Sequence, residues 1–207
     1  MSDKEGYHHG NLRAALLESA FDILVESGVE GLSLRGVARR AGVSPGAPYN
    51  HFKDKQAILS ELAQSRRSQA AHAFVSAMER EETPHAKLRA LGATYVGYAL
   101  EHKEEFNLMF DGSLGSYARG APTHVPLLDL FREVIGAADS RLSKTELDTA
   151  AITAWSLIHG LAQLLISGPL QELGRDPEQA AALIEQVMRK LGGLLESTST
   201  QPTLKDG

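Results

Sequence analysis

Ser33-Leu34-Arg35-Gly36-Val37-Ala38-Arg39-Arg40-Ala41-Gly42-Val43-Ser44-Pro45-Gly46-Ala47-Pro48-Tyr49-Asn50-His51-Phe52 decides how the rest of the chain is read. Ser33 stands where a hydroxyl caps a helix start, Val37, Ala38 and Ala41 supply an apolar face, and Gly42 ends it. Ser44-Pro45 then reads as a second cap followed by proline at the first helical position. Two short helices joined by Ala41-Gly42-Val43-Ser44 make a helix-turn-helix arrangement. In that motif the second helix enters the DNA major groove while the first crosses the backbone. Gly46 and Ala47 are small enough for close approach to base edges, and Ser44 at a positive helix end suits a phosphate. Pro48 removes an intrahelical hydrogen bond, so this second helix is expected to be hardly longer than its first turns. The competing reading is an αα-corner in an all-helical enzyme or scaffold.

Charge favours the first reading. The whole chain carries a formal net charge of −5 with a pI of about 5.9, which taken globally argues against a polyanion binder. Between Ser33 and Lys55, however, Arg35, Arg39, Arg40, Lys53 and Lys55 face Asp54 alone, a net +4 that leaves −9 on the other residues. A basic patch on an acidic body is what a DNA-binding head on a larger domain looks like.

The full chain of 207 residues is 43% hydrophobic and 23% charged, ordinary globular usage, and long enough for a core without staples. The absence of cysteine excludes disulfides, zinc ribbons, iron–sulfur clusters and thiol nucleophiles. The polar start Met1-Ser2-Asp3-Lys4-Glu5 has no secretory pattern. Residues 149–170 are uncharged but interrupted by Ser156, His159, Gly160, Gln163 and Pro169, short of the ~20 predominantly apolar residues of a spanning helix. A cytoplasmic protein without a membrane partner is expected.

Apolar spacing elsewhere is helical and strand signals are nearly absent. Leu12, Leu16, Leu17, Ala20, Phe21 and Leu24 mark a helix capped by Asn11 and closed near Gly28. Asp54 caps a long helix to about Glu82, and Thr83-Pro84 opens the next, to about His102. Further helices are expected over residues 104–110, 125–142, 144–167 and 176–196, the last with a capping-box-like Asp176-Pro177-Glu178-Gln179 start. Gly112 to Pro126 reads as a mobile loop and the tail from Ser197 as disordered. The expected fold is all-α, about nine helices: a helix-turn-helix head over residues 1–56, a helical bundle over 57–196 and a tail over 197–207.

Residues 11–62 resemble the DNA-binding domain of the tetracycline-repressor (TetR) family. The resemblance rests on Ala20-Phe21-Asp22-Ile23-Leu24 with Gly28, on Leu32-Ser33-Leu34-Arg35-Gly36-Val37-Ala38, on Ala41-Gly42-Val43-Ser44, and on Tyr49-Asn50-His51-Phe52-Lys53-Asp54-Lys55 with Leu59. Pro48 departs from the leucine or other apolar residue usual there. The resemblance implies that Ser33, Tyr49, His51 and Lys55 grip phosphates, each with suitable chemistry. It implies that Arg35 contacts backbone or a guanine edge, and that Ser44, Pro45, Gly46, Ala47 and Asn50 sit where bases are read. Asn50 has the amide for adenine and Ala47 the methyl for thymine. Phe52 is read as packing of the small head; Tyr49 carries packing as its alternative.

A reader this small contacts few base pairs, so a dimer on two half-sites is expected. The resemblance implies a homodimer through the last two helices, and residues 149–168, apolar nearly all round, fit burial on two sides. Ser156 and Gly160 permit close helix approach, and Ala180, Leu183, Ile184, Val187, Leu191 and Leu194 supply a matching stripe. Trp155-Ser156-Leu157-Ile158-His159-Gly160 and His102-Lys103-Glu104-Glu105-Phe106-Asn107-Leu108-Met109-Phe110 resemble one C-terminal branch of the family, the Trp-x-x-x-His-Gly type. Trp155 and His159 share a helix face. With Tyr95, Tyr98, Phe106, Met109 and Phe110 they line an effector pocket in one reading and form a packed core in the other. His8-His9 beside Tyr7 reads as an N-terminal arm near DNA or as solvated chain. No metal-ligand spacing, Walker loop, G-x-S-x-G or G-x-G-x-x-G occurs, so neither metal, cofactor nor catalysis is expected. The resemblance implies a transcriptional regulator, a repressor rather than an activator, released from a palindromic operator by a small-molecule effector. A helical-bundle enzyme and an effector-independent interaction module are the rival readings.

Overall fold

The computed structural model describes residues 9–110 and 126–198. Among them are nine α-helices, one 3₁₀ turn and no strand. The order is α1 (His9–Gly31), α2 (Leu34–Arg40), the 3₁₀ turn Ala47–Asn50, α3 (Lys55–Glu79), α4 (Pro84–Glu101), α5 (Lys103–Met109), α6 (Pro126–Ala138), α7 (Lys144–Ile166), α8 (Gln171–Arg175) and α9 (Pro177–Thr198).

The helix starts follow cap chemistry. Ser33 Oγ accepts from the Gly36 N–H at 3.1 Å, Asp54 Oδ1 from Ala57 at 2.8 Å and Thr83 Oγ1 from Ala86 at 3.2 Å. Asp176 Oδ1 accepts from Glu178 and Gln179. Ser143 and Glu146 form a full capping box on α7. At its other end α1 breaks at Gly28, whose φ of 66° and ψ of −177° lie in a region nearly closed to other residues.

Three expectations need correction. Helix α1 begins at His9, ahead of the expected Asn11 cap. Ser44-Pro45 does not open a helix: the regular turn starts at Ala47 behind Gly46, with no side-chain cap, and is 3₁₀. Pro48 has no N–H to bond back to Ser44 or Pro45, so the turn does not extend towards Ser44, and the Pro48 carbonyl receives the N–H groups of His51 and Phe52 at 3.0 and 2.8 Å. Helix α8 has no buried residue, hence no apolar period to betray it in the sequence. Of the loop expected from Gly112 to Pro126, only Pro126 is described, and it opens α6. Helix α9 runs to Thr198, past the tail start expected at Ser197, and the rest of that tail, with His8 and the His9 side chain, lies outside the described residues.

The described residues form two compact units. The first holds the chain up to Arg67 together with residues 104–110; the second holds residues 68–103 and 126–198. The division therefore falls inside α3, and α5 belongs with the helix-turn-helix rather than with the bundle. In the first unit Leu16, Ala20 and Leu24 of α1 meet Leu34 and Val37 of α2, Ile58, Leu59 and Leu62 of α3, and Leu32 and Phe52 between them. Leu108 of α5 is part of this cluster, 2% exposed. Arg67 secures α5 by donating from Nε to the Met109 carbonyl at 2.9 Å, one of the carbonyls a helix end leaves without a partner. Arg66 lies 3.9 Å over the Phe21 ring.

In the second unit α4 packs on α6, α7 and α9. Leu88, Leu91, Tyr95, Phe131, Ala154, Ile158, Leu165, Ile184 and Met188 are among its buried residues. A Cβ on Gly92 would lie 2.2 Å from Met188 Sδ, so α9 approaches α4 over bare backbone. By length and composition α7 is long and apolar enough to cross a membrane, but Ala151, Ala154, Ile158, Leu161, Ala162, Leu165 and Ile166 are buried in the bundle.

Two substitutions measure these constraints in equilibrium urea unfolding. Leu108→Ala is expected to destabilise by ~2–5 kcal/mol through transfer and cavity terms. Gly28→Ala is expected to cost ~1–3 kcal/mol through backbone strain, although a Cβ there meets nothing within 4 Å. A loss below ~0.5 kcal/mol at Leu108 would contradict its seat in the core.

Candidate nucleic-acid interface

The 3₁₀ turn sorts its residues by face. Pro48 and the following Phe52 point into the core, Phe52 with 2% exposure, which makes it a packing residue as expected. Tyr49 (53% exposed) and Asn50 point outward. Gly42, at φ 68°, reverses the chain between α2 and this turn. On one stretch of surface-exposed chain lie Ser33, Arg35, Ser44, Pro45, Gly46, Tyr49 and Asn50, with Ala47, His51 and Lys55 half-buried. Ser33 already accepts the Gly36 N–H, and its hydroxyl proton remains to donate. The expected anion site at Ser44 has no α-helix behind it, because a four-residue 3₁₀ turn sums few peptide dipoles.

The basic patch is smaller than its sequence count. Arg40 Nε donates to Asp22 at 3.1 Å, and its two terminal nitrogens donate to the Glu26 carboxylate at 2.6 Å each. Hydrogen bonding from Arg40 holds the Glu26 carboxyl below its usual range. Arg40 thus ties α2 to α1, leaving Arg35, Arg39, Lys53 and Lys55 as the cations of this region. Asp22 and Glu26, four apart on the first helix, are the sequence signal that could have revealed this.

The proposed effector residues fall in different units. Phe106 and Met109 are buried in the first, where Phe106 also packs on Phe110 with ring centroids 4.9 Å apart. Tyr95, Tyr98, Trp155 and His159 belong to the second. There the Trp155 indole N–H donates to the Tyr95 oxygen at 3.4 Å, and His159 Nδ1 lies 2.8 Å from the same oxygen. Burial raises the Tyr95 phenol pKa and lowers that of the His159 imidazole. Tyr98 stacks on His102 with centroids 4.5 Å apart. One turn of spacing between Trp155 and His159 therefore serves a polar cluster centred on a fully buried tyrosine.

The described residues are all-helical with an exposed helix-turn-helix edge, the arrangement of a DNA-binding class, and comparison with known proteins gives the family. Residues 88–191 match the family model described as Tetracyclin repressor-like, C-terminal domain, and residues 16–62 match that of bacterial regulatory proteins, tetR family. The class C tetracycline repressor of Escherichia coli is 43% identical over 53 residues, 26% of this chain and 24% of that one. The matched stretch thus spans about a quarter of that repressor. A solved structure of a protein with unknown function from Rhodococcus sp. RHA1 is 32% identical, covers 92% of this chain and 98% of its own, and superposes with a TM-score of 0.72. A TetR family transcription regulator from Marinobacter aquaeolei VT8 shares the fold at 20% identity and a TM-score of 0.59, covering 88% of this chain and 94% of its own. The chain belongs to the TetR family of bacterial transcriptional regulators.

The buried histidine sets a pH dependence. A folded-state pKa below the ordinary 6.5 means that the unfolded chain binds the proton more readily. Stability from this group is complete above pH 6.5 and is lost as the pH falls towards the lowered value. Thermal melts at about pH 7.5 and about pH 5.5 should show a larger drop for the native chain than for His159→Gln. Equal drops would mean that His159 titrates as in the unfolded chain.

Proposed function

We propose that this protein is a homodimeric, sequence-specific transcriptional repressor that binds a palindromic operator and is released by a small-molecule effector. The observation that carries the reading is the exposed Tyr49-Asn50 pair, held outward on a turn whose neighbours Pro48 and Phe52 anchor in the core. Ser33, Tyr49, His51 and Lys55 grip phosphates, Arg35 takes backbone or a guanine edge, and Ser44, Pro45, Gly46, Ala47 and Asn50 face bases. The tetracycline repressors' shared head sequence supports repression.

The dimer forms through α7 and α9. Ile152 and Leu164 of α7 are 49% and 40% exposed, and Ser156 and Gly160 lie between them on the same face. A Cβ at Gly160 would meet nothing within 4 Å, so packing within the chain does not require glycine there, whereas a facing helix would exploit the bare backbone. On α9, Ala180, Ile184 and Leu191 are buried with Met188, leaving Leu183 and Val187 half-buried.

The effector acts through Tyr95, Tyr98, Trp155 and His159. Helix α3 is continuous from the operator-facing unit into the effector-bearing one, and a shift along it moves the heads out of register with successive major grooves. A tenfold change in operator affinity needs about 1.4 kcal/mol of differential effector affinity between the two states.

Selection of genomic fragments by the purified protein near physiological salt tests the whole reading. Half-sites about one helical turn apart should be enriched; no enrichment of any motif would defeat it. Lys55→Ala should weaken binding to all sequences and lower the salt slope by about one per head, and Arg35→Ala should cost ~1–3 kcal/mol of specific affinity if bidentate to guanine. Gly160→Leu should turn the dimer into a folded monomer in sedimentation velocity. Trp155→Ala should abolish effector-induced release while operator binding persists; global unfolding would instead assign Trp155 to the core.

A further inference from the structure

Adjacent arginines on α2 have opposite surroundings. Helix α2 buries Leu34, Val37 and Ala38, and its three cations project from the remaining surface. At about 100° per residue, Arg35 and Arg39 lie about 40° apart on one flank, and Arg40 about 100° further round. Arg40 is engaged by Asp22 and Glu26 of α1. Arg39 is exposed, and its side chain has no ion pair or hydrogen bond among the described residues. It shares its flank with Arg35, which the proposed function places on DNA.

We propose that Arg39 is a DNA-phosphate contact, extending the interface one turn along α2 beyond Arg35. The inference rests on the DNA-binding reading above. Like charges four apart on a helix disfavour each other, and α1 supplies the Arg35–Arg39 flank with no compensating carboxylate among the described residues. A phosphate oxygen is the anion that relieves this repulsion once the helix crosses a DNA backbone. The guanidinium fork suits bidentate phosphate contact. A cation in the last turn also complements the α2 dipole, but that role leaves no trace in the salt dependence of DNA binding.

The test uses the full chain and a random-sequence duplex, because a phosphate contact is indifferent to sequence and requires no known operator. Dissociation constants are measured for the native protein, Arg39→Ala and Arg39→Lys between about 50 and about 200 mM salt. Each phosphate contact contributes a slope of about 0.9, so over this range the native protein should lose roughly 3.5-fold more affinity per head than Arg39→Ala. Arg39→Lys, which keeps the charge, should restore the slope, and all three proteins should melt alike. Binding by the native protein with an unaltered slope in Arg39→Ala would overturn the assignment to Arg39 while leaving the DNA-binding reading intact. Failure of the native protein to bind any duplex would overturn both.

Discussion

Leu108 in the core of the helix-turn-helix unit is the contact on which the rest depends. A head built from residues up to Arg67 alone is close to the size at which domains bury only about 60% of their unfolded surface. Helix α5, from a part of the chain that matches the C-terminal family model, completes that core. Arg67, on the first unit's stretch of α3, ties the end of α5 through the Met109 carbonyl. The helix-turn-helix unit therefore contains a segment from well beyond its own N-terminal sequence, and α3 and the α4–α5 junction both run from one unit to the other.

Pro48 shapes the interface by what it lacks. Without an N–H it keeps the 3₁₀ turn from extending back towards Ser44, and its ring is buried, as is Phe52. The family's usual apolar residue at this position would anchor the same way but could prolong a helix. Here the exposed surface is a short turn flanked by Gly42 and Gly46, with Tyr49 and Asn50 at its edge. On the proposed function, so short a turn offers few side chains to bases, which is the physical reason for a second head on a second half-site.

Polar groups inside the two units are handled differently. Arg40 meets two carboxylates at the surface, a tie between helices that solvent screens. Tyr95 sits at 0% exposure, where its hydroxyl can reach both Trp155 and His159. Burial lowers the histidine pKa, which favours the neutral ring within this hydrogen-bonded cluster. The same three residues tie α4 to α7 within the second unit.

What the sequence by itself determined is local: helical periods, the caps at Ser33, Thr83 and Asp54, the break at Gly28 and the turn at Gly42. These depend on neighbours within a few residues, and the motif from Leu32 to Lys55 was legible for that reason. Phe52 as core and the shortness imposed by Pro48 followed from the same local chemistry. Tertiary structure decided that Arg40 pairs with Asp22 and Glu26, whose spacing in the sequence shows only a shared acidic face. It alone decided the seat of Leu108 in the head and the separation of Phe106 and Met109 from Trp155 and His159 into different units. The contacts among these join residues 14 or more positions apart. Their meeting is set by how helices pack, and periodicity along one helix carries no record of which neighbour its apolar face will find.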